Sequence, residues 1–377
     1  MKIVVIGAGV LGASVAYHAA REGADVLLVD RADEGRATAA GAGIVCPWGS
    51  ALDHAEYALL EGGARYYPTL VAALAEAGET DLSYARVGAL FVPDDPEELD
   101  RVERLVRQRA GNAPEAGQID RLTPNEARAL FPPLRQDLQG LHVSGGARVN
   151  GRKMAAAMAR AAAVHGGRRM EGAATLLREG DRVTGARVDG ETIAADVVVV
   201  AAGAWASELL GPLGIAAGVA PQRGQIVHLR RPGVDTSRWP TIQPVNSYYL
   251  LAFDDSRVVV GASREFDSGF DYRLTAAGVA GVLNAGLHTA PGLADWTIEE
   301  IRIGFRPLAD DGRPVLGPAP GVSGLFIANG LGPSGLTMGP YAGALVAQAV
   351  LGRATEIDLA AFDPGRFAAT RPFVRAG

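Results

Sequence analysis

The residues with the clearest chemical meaning form a glycine-rich turn near the start of the chain. An apolar run over residues 2–6 is typical of a strand, and residues 7–12 then read Gly-Ala-Gly-Val-Leu-Gly. A helix is predicted over 10–21, and a second apolar strand ends at Asp30. The order strand, glycine turn, helix, strand and acidic residue predicts a dinucleotide-binding βαβ unit. The alternative is a glycine-rich turn with no ligand.

Each residue type in this turn has a physical reason. Gly7 permits the tight turn, Gly9 lets the backbone approach a pyrophosphate, and Gly12 lets the helix pack on the strand. The helix start then offers free N–H groups and the positive end of its dipole to the phosphates. The carboxylate of Asp30 can accept hydrogen bonds from ribose hydroxyls.

A second glycine-rich joint lies near the other end of the chain. A strand predicted over 324–328 leads into residues 330–337, which read Gly-Leu-Gly-Pro-Ser-Gly-Leu-Thr, and a long apolar helix follows. Such a loop lets N–H groups at a helix start approach an anion or a polarised ring carbonyl.

The composition excludes several classes of protein. The 377 residues carry a net charge of −6, which disfavours a nucleic-acid partner. The single cysteine, Cys46, excludes intrachain disulfides and fits a reducing compartment, so we expect a cytoplasmic protein. The longest apolar stretch, 193–206, is too short to span a bilayer. Lys2 and Lys153 are the only lysines, which argues against Schiff-base chemistry, and the histidines show no metal-ligand spacing.

The remaining pattern predicts the elements that position these motifs. Helices are predicted over 52–78, 96–109, 153–164 and 205–210, a helix start at 123–126, and a polar loop over 145–152. Strands are predicted over 87–92, 173–177, 183–188, 196–200, 225–229, 248–253 and 257–261. The run at 196–200 is typical of a buried parallel strand, and the last three strands imply a second, antiparallel sheet.

These blocks, in this order, resemble the D-amino-acid oxidase family of FAD enzymes, which includes glycine oxidase, sarcosine oxidase and D-amino-acid dehydrogenase. The most specific parts are residues 304–307 with 311–314, the loop at 330–337, and residues 38–44. The resemblance implies an α/β fold: a Rossmann-like FAD-binding domain with an interleaved α+β substrate domain built on an antiparallel sheet. We expect FAD-binding segments at 1–80, 145–220 and 300–377, and substrate-binding segments at 81–144 and 221–299.

The resemblance also implies roles for individual residues. Arg306 matches an arginine that clamps the substrate carboxylate, Tyr249 a tyrosine that hydrogen-bonds the same group, and Pro333 a position whose carbonyl accepts the substrate amine. Ala42, Gly43 and Ile44 match a segment beside the flavin ring, and Thr337 a residue near the flavin O2 edge. The cofactor-binding positions expected in this way are Gly7, Gly9, Val10, Leu11, Gly12, Asp30, Arg31, Thr38, Ala42, Gly43, Ile44, Ala174, Gly203, Gly332, Ser334, Gly335, Leu336 and Thr337.

The residue types agree with the substrate assignments. A planar guanidinium suits bidentate carboxylate binding, although Arg306 could instead satisfy backbone carbonyls at a strand end. Tyr248 and Tyr249 would point to opposite faces of a strand, so Tyr248 is expected to pack elsewhere. No cysteine follows Arg306, and we therefore expect FAD to be held without a covalent link. Cys46 is interpreted as a small buried apolar residue.

The resemblance implies oxidation of a D-amino acid or glycine, with hydride leaving the α-carbon for flavin N5 and an imine hydrolysing to a 2-oxo acid. The alternatives are a secondary amine, such as an N-methyl or cyclic amino acid, and a flavoprotein subunit of a larger dehydrogenase. An NAD-dependent dehydrogenase would share the first motif but leave the loop at 330–337 unexplained. Oxygen or a quinone could accept the electrons, and the protein could be a monomer or a homo-oligomer.

Overall fold

The computed structural model describes residues 1–52, 54–246 and 248–367. Its strands in chain order are β1 (Lys2–Ile6), β2 (Asp25–Asp30), β3 (Ile44–Val45), β4 (Ala85–Arg86), β5 (Ala89–Phe91), β6 (Ile119–Leu122), β7 (Gly140–Val143), β8 (Ala147–Arg148), β9 (Arg168–Glu171), β10 (Ala174–Glu179), β11 (Arg182–Val188), β12 (Glu191–Ala194), β13 (Val197–Val200), β14 (Val219–Arg230), β15 (Thr241–Gln243), β16 (Tyr249–Phe253), β17 (Arg257–Gly261), β18 (Thr297–Ala309), β19 (Val315–Pro318) and β20 (Leu325–Asn329).

The α-helices in the described ranges are α1 (Val10–Arg21), α2 (Ala37–Ala40), α3 (His54–Glu76), α4 (Pro96–Ala110), α5 (Pro124–Leu130), α6 (Gly151–Val164), α7 (Ala206–Leu210), α8 (Ala276–Thr289) and α9 (Gly335–Val350). The predicted helix start at 123–126 is a capping box, in which Thr123 and Glu126 satisfy each other's backbone N–H groups. Within the described ranges, no helix combines the length and the apolar character needed to cross a membrane.

The first sheet carries the glycine turn. Its strand order is β19-β20-β13-β1-β2-β9, and all neighbours are parallel except the edge pair β19–β20. β1 lies in the middle because its last four residues are apolar and can be buried on both faces. Helices α1, α6 and α9 contribute to the core on one face, and the hairpins β10-β11-β12 contribute to the core on the other. The arrangement is a mostly parallel α/β sheet with the unit β1-α1-β2 at its centre, as the βαβ pattern predicts.

The second sheet has the order β18-β14-β17-β16-β15-β5-β7-β6 and is antiparallel except for the parallel pair β15–β5. The antiparallel character predicted from residues 225–261 is confirmed. Its longest ribbon, β14 with β18, runs from Val219 opposite Ala309 to Arg230 opposite Thr297. Helix α8 supplies Val282 to the core beneath β14 and β17.

The two sheets are joined close to the glycine turn. The Phe305 N–H on β18 donates to the Gly35 carbonyl at 2.8 Å, and Arg36 forms a bridge with Phe305. The first segment of the nucleotide unit is therefore tied to the strand that carries Arg306. The domain boundaries stay a prediction; the one at residue 300 falls inside β18, and residues 368–377 lie outside the described ranges.

One sequence interpretation is wrong. The polar loop expected over 145–152 contains strand β8, which pairs with β3 and β4, and the first residues of α6, capped by Asn150. Arg148 gave the segment its polar appearance, yet it is only 3% exposed because it donates to the Ala252 carbonyl and lies over the Phe253 ring. Tertiary contacts therefore override the local polarity.

Candidate active site

A cavity of about 1030 Å³ lies at the carboxyl ends of β1 and β13 and extends to the second sheet. Its wall includes the glycine turn, the end of β2, residues around Ala42, the start of α9, and side chains from β16 and β18. Open α/β sheets bind ligands in a crevice at the carboxyl ends of their strands, and this volume is at the upper end for small-molecule sites.

The three glycines of the turn have different roles. Gly7 has a φ of +108°, and a Cβ there would collide with the Ala201 carbonyl at the end of β13. A Cβ on Gly12 would collide with the Gly7 carbonyl, so this glycine allows α1 to pack closely on the turn. A Cβ on Gly9 would meet only Thr38 Oγ1, at 3.3 Å. Gly9 therefore faces open cavity, as expected of a residue that leaves room for a phosphate.

Two helix starts lie at this cavity and are not capped by the side chains of their own N-cap residues. Neither α1 nor α9 has a side-chain cap or an acidic residue in its first turn. At α1 the Val10 N–H donates to Thr38 Oγ1 at 3.0 Å. The positive ends of both helix dipoles are thus available to a bound group with negative charge, which suits a dinucleotide.

Asp30 is buried at the end of β2, with 6% exposure. Its Oδ2 accepts from the Ala8 N–H at 2.6 Å, and its Oδ1 accepts from the Ala32 N–H and from Arg36 Nη1, each at 2.8 Å. The carboxylate thus holds the glycine turn in place, a role that the sequence did not indicate. Its hydrogen bonds to a ribose stay a prediction.

The flavin-side segment and the second glycine loop are in direct contact. The Thr337 hydroxyl donates to the Ile44 carbonyl at 2.8 Å, and the buried Tyr67 hydroxyl donates to the Leu336 carbonyl. Gly43 has a φ of +95° and lies against the Val149 backbone. The start of α9 is therefore anchored against residues 42–44, and Ala42 and Ile44 in turn pack against apolar residues of the second sheet.

The side chains of Arg306 on β18 and Tyr249 on β16 each lie over a glycine of the neighbouring strand. A Cβ on Gly224, which is opposite Gly304 on β18, would lie 2.5 Å from Arg306 Nη1 and 2.7 Å from Cζ. A Cβ on Gly261 would lie 2.6 Å from the Tyr249 hydroxyl oxygen. Both side chains therefore rest against backbone with no Cβ, and the two glycines set their positions.

The electrostatics of this pair are those of a partly dehydrated site. Burial lowers the pKa of Arg306, and the nearby positive charge of Arg264 lowers it further. Burial raises the pKa of Tyr249, with the Arg306 charge acting in the opposite direction. Arg306 donates to the Ser263 carbonyl at 3.1 Å, so the backbone-binding alternative accounts for one of its N–H groups. Among the described residues it forms no ion pair, and an anionic ligand would compensate its charge.

A polar network holds this wall in place. Glu265 accepts from Arg223 Nη2 at 2.6 Å, from Gln225 Nε2 at 2.7 Å, and from the Ser263 hydroxyl at 2.6 Å. Burial raises the pKa of Glu265, but these hydrogen bonds outweigh burial and the net shift is downward. The network ties the segment after β17 to β14, and thereby fixes the carbonyl that Arg306 uses.

The structure brings nearly all of the predicted residues to one cavity. Of the expected positions only Gly12 is absent from its wall, because Gly12 packs under the turn. The cavity-lining predicted residues are Gly7, Gly9, Val10, Leu11, Asp30, Arg31, Thr38, Ala42, Gly43, Ile44, Ala174, Gly203, Tyr249, Arg306, Gly332, Pro333, Ser334, Gly335, Leu336 and Thr337. Their individual roles stay predictions.

One smaller expectation is confirmed and another changes. Tyr248 borders the cavity, but its side chain packs against the core that α8 helps to form, with the hydroxyl oxygen 3.4 Å from where a Cβ on Gly281 would lie. Cys46 contributes to the wall and is only partly buried by its neighbours. Burial nevertheless raises the pKa of its thiol to about 12, so a reactive thiolate is disfavoured at neutral pH.

Sequence reasoning missed Arg36, Arg264, Gly224 and the Glu265 network. The sequence around a glycine or an arginine does not show which residue it contacts when that residue lies on another strand. Arg264 lies shortly after β17, which ends at Gly261, but only the fold places it on the cavity wall.

Comparisons with known proteins agree with this site. The model of the DAO family, described as FAD dependent oxidoreductase, matches residues 2–349. Iminodiacetate oxidase from Chelativorans sp. BNC1 has a crystal structure with a TM-score of 0.93 and 52% identity, covering 96% of this chain and 98% of that chain. Glycine oxidase from Pseudomonas aeruginosa is 31% identical over 371 residues, 96% of this chain and 98% of the relative.

The uncharacterized oxidoreductase YurR from Bacillus subtilis is 47% identical over 363 residues, 96% of this chain and 98% of the relative. The open space at Gly9, the two uncapped helix starts and the large cavity fit FAD, held without a covalent link. The chain belongs to the DAO family of FAD-dependent oxidoreductases.

Proposed function

We propose that this protein oxidises a small amine that carries a carboxylate on the reacting carbon, namely glycine or a D-amino acid, to an imine that hydrolyses to a 2-oxo acid. The single observation that carries the proposal is Arg306, a guanidinium on the cavity wall with no acidic partner among the described residues. The similarity to glycine oxidase supports the same substrate class.

The reaction balances as a two-electron oxidation. The substrate loses its Cα–H and one N–H, a C=N bond forms, and water then adds and breaks the C–N bond to release an amine or ammonia. Bound FAD supplies the acceptor for the two electrons. The acceptor that reoxidises it is oxygen or a quinone, and comparing turnover with each identifies which.

The protein's own residues supply positioning. Arg306 would bind the substrate carboxylate through two parallel N–H groups, and the Tyr249 hydroxyl would donate a third hydrogen bond to it. The Pro333 carbonyl would accept a hydrogen bond from the substrate nitrogen. Holding the carboxylate and nitrogen at two fixed points orients the α-hydrogen, and such orientation can supply much of the rate enhancement without a dedicated base.

A secondary amine is the second candidate. The 52% identical iminodiacetate oxidase is named for a substrate whose nitrogen carries two carbon substituents. The same carboxylate clamp serves both candidates, because the clamp contacts the acid group and not the nitrogen substituent.

The test is the variant Arg306→Ala, with Arg104→Ala on the exposed face of α4 as the matched control. On carboxylated amines kcat/KM should fall by about two to three orders of magnitude, because one member of a dehydrated charge pair is lost. FAD content should be unchanged. Arg306→Lys should recover little, because an ammonium lacks the planar fork.

Turnover of D-, L- and N-methyl amino acids with oxygen and with a quinone completes the test. Activity on L-amino acids with none on D-amino acids or glycine would contradict the proposed class. Near-normal kcat/KM in Arg306→Ala, or loss of FAD, would make the arginine structural. A flavoprotein that no amine reduces unless other subunits are present would favour the electron-transfer subunit.

A further inference from the structure

The charged residues on the cavity wall are unevenly paired. Each acidic side chain there has an arginine partner: Asp30 with Arg36, Asp33 and Glu208 with Arg31, and Glu56 with Arg313. The two remaining arginines of the wall, Arg264 and Arg306, form no ion pair with any residue in the described ranges. The substrate end of the cavity therefore carries two guanidinium groups for which the described residues supply no ion-pair partner.

The backbone of Arg264 is fixed, although its side chain is exposed. The preceding Ser263 donates from its N–H to the Gln225 carbonyl at 3.2 Å and accepts from Arg306 through its carbonyl at 3.1 Å. The following Glu265 forms a two-way bridge with Arg223, with N–H to carbonyl distances of 2.9 and 3.1 Å. Arg264 is thus held between two anchored neighbours, one of which contacts Arg306.

The acid closest in sequence does not neutralise Arg264. Both oxygens of Glu265 are used by Arg223, Gln225 and Ser263. The positive charge of Arg264 is close enough to lower the pKa values of both Arg306 and Tyr249. Two like charges facing one cavity repel each other, and this arrangement is unfavourable unless a ligand supplies negative charge to both.

We propose that Arg264 is a specificity-determining residue that binds a second carboxylate, so that the substrate is a small dicarboxylic amine. This inference rests on the proposed function, because it assigns the first carboxylate to Arg306. One carboxylate would pair with each guanidinium, and the reacting C–N bond would lie between or beside them. The similarity to an iminodiacetate oxidase agrees with this class, and D-aspartate is its primary-amine member.

The first experiment compares substrates that differ by one carboxylate. Iminodiacetate is paired with sarcosine, and D-aspartate with D-alanine, in the FAD-loaded protein. At least one dicarboxylate should exceed its partner in kcat/KM by about 10- to 100-fold, as expected for one hydrogen-bonded charge pair. Arg264→Gln should remove that preference by lowering only the dicarboxylate value, and Arg264→Lys should keep part of it. Arg104→Gln, an exposed arginine on α4, should change neither.

The second experiment measures binding without turnover. Diglycolate and methoxyacetate contain an ether oxygen in place of the amine, and their binding is followed by the change in the flavin absorption spectrum. Arg264→Gln should raise the Kd for diglycolate by about 10- to 100-fold and leave methoxyacetate nearly unchanged. Arg306→Ala should weaken both.

The outcomes separate this inference from the proposed function. The second-carboxylate site would be overturned if mono- and dicarboxylates had equal kcat/KM and Arg264→Gln changed neither these values nor the Kd for diglycolate. That result would leave the proposed function intact. The proposed function and this inference would both be overturned if the protein oxidised no carboxylated amine and Arg306→Ala bound diglycolate as the wild type does.

Discussion

Replacing Gly224 by alanine should impair catalysis while the protein remains stably folded. The new Cβ would lie 2.5 Å from Arg306 Nη1, 2.6 Å from Nη2 and 2.7 Å from Cζ. A normal contact needs more room, so the guanidinium must retreat by about 1 Å, a displacement that can cost about 100-fold in rate. Because the guanidinium is the end of a flexible side chain, the free energy of unfolding should change little.

The assay is steady-state kcat/KM on the best carboxylated amine, together with FAD content and thermal unfolding. Gly211→Ala is the matched control, since a Cβ at that exposed position meets nothing within 4 Å. We expect the loss in Gly224→Ala to approach that of Arg306→Ala, and a double variant to be little worse than Arg306→Ala alone. A Gly224→Ala enzyme with normal kcat/KM would show that the exact position of the guanidinium is unimportant.

Three further predictions concern the cofactor, the clamp and stability. Gly9→Val should fold but bind little FAD. Gly7→Ala should fail to fold because Gly7, unlike Gly9, abuts backbone atoms and has a positive φ. FAD content per chain and circular dichroism distinguish the two outcomes. Tyr249→Phe should lower kcat/KM by about tenfold, the effect of one hydrogen bond. Burial lowers the pKa of His18 to about 4, so the free energy of unfolding should fall as the pH drops from 6.5 toward 4. In denaturant titrations, His18→Gln should reduce that fall by up to about 3 kcal/mol.

The sign of the pH effect follows from proton binding. Between pH 6.5 and about 4 the unfolded chain protonates this histidine and the folded protein does not, so acid favours unfolding. An identical pH dependence in His18→Gln would contradict the assignment. Full FAD loading of Gly9→Val would contradict the phosphate cradle, and an unchanged Tyr249→Phe enzyme would remove the hydroxyl from the clamp.

Short-range patterns were sufficient to predict the nucleotide unit. Strand β1, helix α1 and strand β2 appear where apolar periodicity and the glycine spacing at 7–12 placed them, and the Thr123 capping box was predicted in the same way. These features depend on residues a few positions apart, which constrain the same turn or helix start. The sequence therefore determined the first sheet's central βαβ unit and, through the resemblance, the class of cofactor.

The substrate wall depended on contacts between distant segments. Arg306 and Ser263 are 43 residues apart, and Gly224 makes room for Arg306 only because β14 pairs with β18 in one register. Strand pairing is non-local, and a shift of one residue would turn each side chain to the other face of the sheet. For this reason only the tertiary structure placed Arg264 beside Arg306 on a wall without acidic partners among the described residues.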